Sequence, residues 1–487
     1  MTDLKSLLKG IEYTAEADIN GITVNNIAVD SRVVAKRDLF IAIKGNAADG
    51  HLYVKDALAR GASAVILERD METGSAAKII VKDARVASAA AAVNFYRDPS
   101  KEVKVIGVTG TNGKTTVTYI LERILNKAGL LAGVIGTIMC KIGDEVIESG
   151  NTTPSPITLQ GFLRRMADLS IDYCVMEVSS HALDQLRTYG IDFRAAVFTN
   201  ATHEHLDYHK TFKNYLNAKR SLFEGLNRER AAIINRDDPN FEEIKSGCSC
   251  NTVISYGMTS EADIYADRAT LDIGGSTFNL HVDGNAVSVR SRLIGTHNIY
   301  NMLAAASCAW AEGINIDTIK EGLEGVDGVP GRLEMLESGG VKIFVDYAHT
   351  DDALENVLKA LYPLKRGRLI TVFGCGGNRD RGKRPKMGAI AAEFSDHVVV
   401  TSDNPRHEDP GGIIKEIVDG ISPDYKAISV AEDRREAIRE ALSLAREGDI
   451  VLLAGKGHEK YQIVKDRKIS FSDMETAAEL LRARRDA

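Results

Sequence analysis

Along almost the whole chain, short β-branched apolar runs alternate with longer stretches whose apolar positions recur at helical spacing. The clearest case is Val103, Val105, Ile106 and Val108, which run into a glycine-rich turn; beyond it Val117, Ile120, Leu121, Ile124 and Leu125 fall on one helical face. That pattern reads as strand, loop, helix. Upstream, strands are expected at residues 27–29, 39–43, 64–67 and 79–81, with helical patterns between them. Downstream, strands are expected at 173–178, 195–198 and 231–234, antiparallel strands over 264–293, and a helix over 297–310. In the last third, runs at 343–345, 369–373, 398–400 and 450–453 alternate with helical patterns, which implies a parallel sheet. The fold class is α/β. With 487 residues the chain exceeds one core, and the turns Asp98-Pro99-Ser100 and 325–331 divide it into three expected domains, 1–98, 99–330 and 331–487.

The turn after Val108 has its own chemistry. Gly110 and Gly113 let backbone N–H groups curl around an anion, while Lys114 supplies a point charge and Thr115 an oxygen for Mg²⁺ at the start of the new helix. The stretch is a variant of G-x-x-x-x-G-K-[ST], because position 108 is valine. Such a loop binds the phosphates of a nucleoside triphosphate. Glu177, near the end of Y-C-V-M-E-V, is placed as the second anchor for Mg²⁺.

Other strand ends carry polar clusters as well. Asp30-Ser31-Arg32 follows one N-terminal strand, and Gly45-Asn46 with Asp49-Gly50-His51 follows another. The four C-terminal runs lead into Asp346-Tyr347-Ala348-His349, Gly374-Cys375-Gly376-Gly377-Asn378-Arg379-Asp380, Ser402-Asp403-Asn404-Pro405-Arg406 and Ala454-Gly455-Lys456-Gly457-His458-Glu459. Carboxyl ends of parallel strands share one edge, so these four loops should line one crevice. Gly374-x-Gly376 begins a dinucleotide fingerprint, but Arg379 stands where its third glycine belongs. Arg379, Arg381, Lys383, Arg384 and Lys386 instead concentrate positive charge that suits an anionic substrate.

Composition narrows the partners. A formal net charge of -7 gives no broad basic field, so nucleic acid is not expected. No apolar run approaches the ~18 residues of a membrane span and the N-terminus lacks a long apolar core, so a soluble, cytoplasmic protein is expected. The six cysteines read as reduced and structural, and Cys248-x-Cys250 lacks the second pair that structural zinc wants. His203, His205 and His209 with Asp207 look like metal ligands after a strand end. They approach the H-x-H-x-D-H pattern of zinc hydrolases, but Tyr208 interrupts it, and a zinc enzyme leaves the phosphate loop without a role.

Read in order, G-V-T-G-T-N-G-K-T-T, M-E-V-S-S-H-A-L, F-T-N-A-T-H-E-H-L-D-Y-H, G-V-P-G-R-L-E, D-Y-A-H-T, S-D-N-P-R and G-K-G-H-E-K-Y-Q resemble the Mur ligases, from Asp30 to about Gln462. The resemblance implies an N-terminal domain for a uridine nucleotide, a central ATPase and a C-terminal Rossmann-like domain that brings an amino acid. It implies an enzyme that uses Mg²⁺ and ATP to phosphorylate the D-glutamyl γ-carboxylate of UDP-N-acetylmuramoyl-L-alanyl-D-glutamate, an amine then displacing phosphate in peptidoglycan synthesis; a monomer is expected, although the sequence does not fix the oligomeric state. By the same resemblance Gly110, Thr111, Asn112, Gly113, Lys114, Thr115, Thr116, Asn301, Arg332 and Asp346 contact ATP. Ser31, Asn151, Thr152, Thr153, Ser179, Gln185 and Arg187 contact the UDP substrate.

Lys219, in N-A-K-R-S-L-F, matches a lysine that the family carries as a carbamate, whereas composition alone reads it as a surface helix lysine. As a carbamate it is expected to join Thr115, Glu177 and His205 around metal, and Lys114, Glu177, His205 and Lys219 are the expected catalytic set. Glu204 stands where the family commonly has Asp before the ligand histidine. Asp403-Asn404-Pro405-Arg406 matches the family's diaminopimelate motif, which implies meso-2,6-diaminopimelate rather than lysine. Arg406 is expected to grip the distal carboxylate and Asp403 and Asn404 the ammonium groups, with Arg379, Gly455 and Glu459 closing the pocket.

Overall fold

Three sheets carry the molecule. The computed structural model describes residues 1–45, 48–148 and 150–485; Asn46, one of the expected strand-end residues, lies outside the described residues. The N-terminal sheet has five strands in the order Tyr13–Ala15, Ala77–Val81, Ala64–Leu67, Leu39–Ile41, Ile27–Ala28. All its pairings are parallel except that of Tyr13–Ala15, an edge strand of three residues that is too short to show a pattern in the sequence.

The central sheet has eleven strands. At its middle Lys104–Thr109 lies between Tyr173–Glu177 and Phe193–Phe198, all parallel, with Glu177 opposite Val108 and Phe198 opposite Thr109. This register decides the site, because the strand that becomes the phosphate loop has Glu177 at one shoulder and the Thr199-Asn200 turn at the other. Both faces of the sheet are buried at its parallel centre, as strands flanked by helices require. Ile106 and Val108 pack on helices Lys114–Lys127 and Thr296–Ala311, and Val105 packs on the opposite face among residues of Pro156–Asp168 and Phe212–Glu224. Ile264–Asp272, Gly275–Val282 and Asn285–Ser291 form the antiparallel end that alternation predicts. The strands Ala132–Ile135, Met139–Ile142 and Glu145–Glu148 at the other end extend beyond what the sequence pattern indicates.

The C-terminal sheet runs Glu334–Ser338, Val341–Asp346, Ile450–Ala454, Leu369–Phe373, His397–Val400, Ile428–Val430. Asp346 pairs opposite Ala454, and Phe373 opposite Val400, so the four motif loops leave one edge together as expected. This sheet docks over the phosphate loop. Asn112 Nδ2 and Thr202 Oγ1 donate to Asp352 Oδ2, and Arg332 Nη2 donates to Thr115 Oγ1 at 3.2 Å. Among the described residues no helix is long and apolar enough to cross a membrane.

Candidate active site

The phosphate loop is held before any ligand enters. Gly110 and Gly113 have φ of 150° and 88°, and a Cβ on either would meet Thr199 Oγ1 at 1.8 Å or Asn301 Oδ1 at 2.2 Å. Only glycine fits both the angle and the space. Thr111 N donates to Asn200 O at 2.8 Å and Asn112 N to Asn200 Oδ1 at 2.9 Å, tying the loop to the next strand end. Lys114 folds back so that Nζ donates to Gly110 O and Thr111 O, both at 2.8 Å. Burial pulls its pKa down, although Glu204 and Glu177 oppose the shift.

Glu177, 1 % exposed, accepts from Thr115 Oγ1 at 3.0 Å, Thr137 N at 2.7 Å and Thr137 Oγ1 at 3.0 Å. Asp346 accepts from Leu333 N and Ala348 N, each at 2.8 Å, and so fixes the turn that carries Arg332. The Arg332 guanidinium lies 4.8 Å from the Tyr347 ring centroid. Asn301 Nδ2 donates to Asn298 Oδ1 at 3.0 Å, which aims its oxygen at Gly113.

The histidine cluster does not assemble as a three-histidine site. His203 packs on Phe212 at 5.0 Å, His209 Nε2 meets Ser180 Oγ at 3.0 Å, and His205 packs edge-on against His181 at 4.6 Å. Among the described residues no three His, Cys, Asp or Glu side chains form a group able to hold a metal ion. His205 sits at φ 57° before a short helix, and burial holds its imidazole toward the neutral form. Lys219 corrects the surface reading, since it is 1 % exposed on helix Phe212–Glu224. Its Nζ lies 4.3 Å over the Tyr215 ring, and among the described residues no carboxylate lies within 4.0 Å of it. Burial, reinforced by Lys114, pulls its pKa well down. An oxygen-rich pair, Thr115 and Glu177, with a neutral imidazole suits a hard cation such as Mg²⁺.

The residues expected for the UDP substrate form a network beside Glu177. Thr153 Oγ1 donates to Glu177 O at 2.9 Å, Ser179 N donates to Thr153 Oγ1 at 3.1 Å, and Arg187 Nη1 donates to Thr153 O at 2.8 Å. Arg187 also holds Gln185 Oε1 at 2.7 Å, and Thr152 bonds Thr137 at 3.0 Å. Asn151 precedes this pair in the same loop, and Ser31 stands apart at the end of Ile27–Ala28.

A cavity of about 670 Å³ joins the two larger sheets. Thr111 to Thr116, Glu177, His205, Asn301, Arg332 and Asp346 line one part of it, and Arg379, Asp403, Asn404, Arg406, Gly455 and Glu459 another. Pro405 serves the backbone instead, its carbonyl lying 2.0 Å from where a Cβ on Gly377 would fall. Asn404 lines the cavity and is also bonded within the protein. Its Oδ1 accepts from Ile463 N at 2.9 Å and Lys456 Nζ at 3.3 Å, and its Nδ2 donates to Glu459 at 3.0 Å, so the amide orients the pocket. The basic cluster is corrected too. Arg384 is fully buried against Glu408 and Glu416, and Arg381 pairs with Glu416, so only Arg379 and Lys383 of the five face the cavity.

The sequence did not single out His349, Asp352 or the buried Lys456 as site residues, and it marked Lys383 only as one of five basic side chains. His349 and Lys456 stand inside recognised motifs, but Asp352 carries no signal beyond its nearness to one.

This geometry defines a phosphate-loop enzyme whose reaction centre lies between two docked sheets. Three family models match in succession, the Mur ligase family catalytic domain at residues 23–109, the Mur ligase middle domain at 108–309 and the Mur ligase glutamate ligase domain at 331–457. The chain belongs to the Mur ligase family. It is 47% identical over 468 residues, 95% of each chain, to a Syntrophomonas wolfei protein named UDP-N-acetylmuramoyl-L-alanyl-D-glutamate--2,6-diaminopimelate ligase. A Clostridium botulinum protein of the same name is 44% identical over 487 residues, 99% of each chain. A solved structure of that name superposes with a TM-score of 0.69 at 33% identity, covering 96% of this chain and 97% of its own.

Proposed function

We propose that this protein is an ATP-dependent ligase joining meso-2,6-diaminopimelate to the D-glutamyl γ-carboxylate of UDP-N-acetylmuramoyl-L-alanyl-D-glutamate, as a cytoplasmic monomer in peptidoglycan synthesis. The observation that carries the reading is the single cavity shared by the phosphate loop and the Arg406 pocket. A carboxylate oxygen is a poor leaving group until it is phosphorylated, and an acyl phosphate must be kept from water until the amine reaches it. One shared cavity brings the two reacting ends together. In this reading the N-terminal sheet with Ser31 takes the uridine nucleotide, the network of Thr152, Thr153, Ser179, Gln185 and Arg187 takes the peptidyl end, and the C-terminal sheet brings the amino acid.

Lys114 and Arg332 neutralise the triphosphate, and Thr115, Glu177, His205 and Lys219 are the groups that would hold Mg²⁺. The metal supplies charge neutralisation at the phosphoryl group in transfer. Incubation with ATP, the UDP-dipeptide and a panel of amino acids tests the whole reading. Phosphate release with diaminopimelate is expected, and release with lysine alone would transfer the assignment to a lysine-adding ligase.

The buried Lys219, with no carboxylate within 4.0 Å among the described residues, motivates a second expectation. An amine kept neutral by burial adds carbon dioxide, and the carbamate gives a metal the anionic oxygen that an ammonium denies it. Carbon-13 NMR of protein equilibrated with labelled bicarbonate should show one carbamate resonance that is absent from Lys219→Ala. Identical spectra for the two proteins would refute the modification.

A further inference from the structure

Amide formation releases protons, and the groups named so far bind phosphates, metal or the distal end of the amino acid. The segment 346–352 crosses from one task to the other. Asp346 fixes Arg332 against Thr115, Asp352 accepts from Asn112 of the phosphate loop, and between them the chain passes beside Gly455, whose N donates to Asp346 O. His349 lies in this segment and lines the cavity.

Its ring has one possible tautomer. Nδ1 is 2.8 Å from Tyr347 O, and a carbonyl can only accept, so Nδ1 carries the hydrogen and Nε2 keeps its lone pair. The surroundings preserve that state. Burial pulls the imidazole down to about 4, and Lys383 and Arg332 act in the same sense, while Glu204 and the Tyr347 carbonyl oppose them. Lys383 Nζ donates to His349 O at 2.6 Å, which holds the backbone, and the Tyr347 ring lies 4.6 Å from the imidazole. Two of the acids that line the cavity are engaged, Asp352 by Asn112 and Thr202 and Glu459 by Lys456 and Asn404.

We infer that His349 Nε2 accepts the proton that the attacking amine loses as the amide forms, an inference that rests on the ligase reading above. The amine enters with its ammonium proton already given to solvent, and its lone pair forms the C–N bond to the acyl-phosphate carbon. The nitrogen, now positively charged, passes one proton to Nε2. The carbon–oxygen bond to phosphate then breaks, phosphate leaves with the electron pair, and His349 returns the proton to it or to solvent. Acidity explains why so weak a base suffices, since an amine bonded to a carbonyl carbon is far more acidic than a free ammonium. Phosphate oxygens in the cavity also offset the Lys383 and Arg332 charges.

His349→Ala and the bulkier His349→Gln provide the test, because positioned bases typically contribute about 10²–10⁴-fold. Both variants should lose diaminopimelate ligation by about that factor. Both should keep positional isotope exchange in oxygen-18-labelled ATP with the UDP-dipeptide alone, which reports acyl-phosphate formation. Added imidazoles should restore ligation by His349→Ala, faster as the imidazole is more basic. A structural role would depress exchange and ligation together and would not respond to imidazole. Wild-type ligation rates in either variant, parallel loss of both half-reactions, or no rescue by any imidazole would overturn the inference. A wild-type protein that releases no phosphate with diaminopimelate overturns the substrate assignment and the inference with it; an active wild type with an unaffected variant overturns the inference alone.

Discussion

Lys114→Ala should lower kcat/KM for ligation by about 10²–10³-fold, corresponding to the roughly 3–4 kcal/mol that one charge-stabilising group supplies at such a centre. The lysine occupies the first position of helix Lys114–Lys127, and its ammonium is held by Gly110 O and Thr111 O. Phosphate oxygens that enter the loop take over those hydrogen bonds, and the ammonium moves from dipoles to formal negative charge. The variant should still fold, because alanine is the strongest helix former and no core residue is touched. Circular dichroism and thermal melting check the fold, and steady-state phosphate release checks the rate. Turnover within a few-fold of wild type in a folded variant would remove Lys114 from the reaction.

Arg406→Ala should collapse the preference for diaminopimelate over lysine, which a site built around a polar group can set at about 10⁴-fold. The two amino acids differ by a carboxylate on the distal carbon. Arg406 Nη1 is fastened to Gly377 O at 2.8 Å, which leaves the Nε and Nη2 edge for a carboxylate in the two-pronged geometry that guanidinium favours. Burial and the neighbouring Arg379 disfavour the bare cation more than Asp403 and Glu459 support it, so a ligand without the carboxylate leaves the buried guanidinium edge without its partner. Without the guanidinium, both amino acids meet the same pocket. The ratio of kcat/KM values should fall to within about tenfold, mostly through loss of diaminopimelate use. Equal use of lysine by the wild type would contradict the assignment, and an unchanged ratio in the variant would relocate discrimination to another residue.

The parts of this molecule that a sequence displays are those in which chemistry sits at the end of a long apolar run. Lys104–Thr109, Tyr173–Glu177 and the four parallel C-terminal strands each bury both faces, so they appear as continuous β-branched runs with their functional residues at a predictable edge. Met139–Ile142 buries only Cys140 and Ile142, on one face of a four-residue strand, and Glu145–Glu148 is mostly exposed, so both leave a faint pattern. Side-chain allegiance was harder to read. Arg384 and Arg379 look alike in a basic stretch, but Arg384 is taken by Glu408 and Glu416, which lie 24 and 32 residues away. Asn404 reads as a ligand contact, and the sequence does not show that Ile463 N and Glu459 also bond its amide. Lys219 looks solvated because it stands beside Arg220 in a helix of mixed polarity; only the tertiary fold turns it inward.

The hydrogen bonds from Asn112 and Thr202 to Asp352 and from Arg332 to Thr115 bind the C-terminal sheet to the phosphate loop across the cavity. A compound that spans the cavity draws affinity from both sheets only while those bonds hold, so its apparent dissociation constant carries the fraction of molecules in the docked arrangement. Loosening the clasp by Asp352→Ala therefore weakens such a compound even where it makes no contact with residue 352. A fragment confined to the phosphate loop shares only the part of that penalty that Arg332 transmits. Potency measured against the clasp mutant thus separates inhibitors that trap closure from those that merely occupy a pocket.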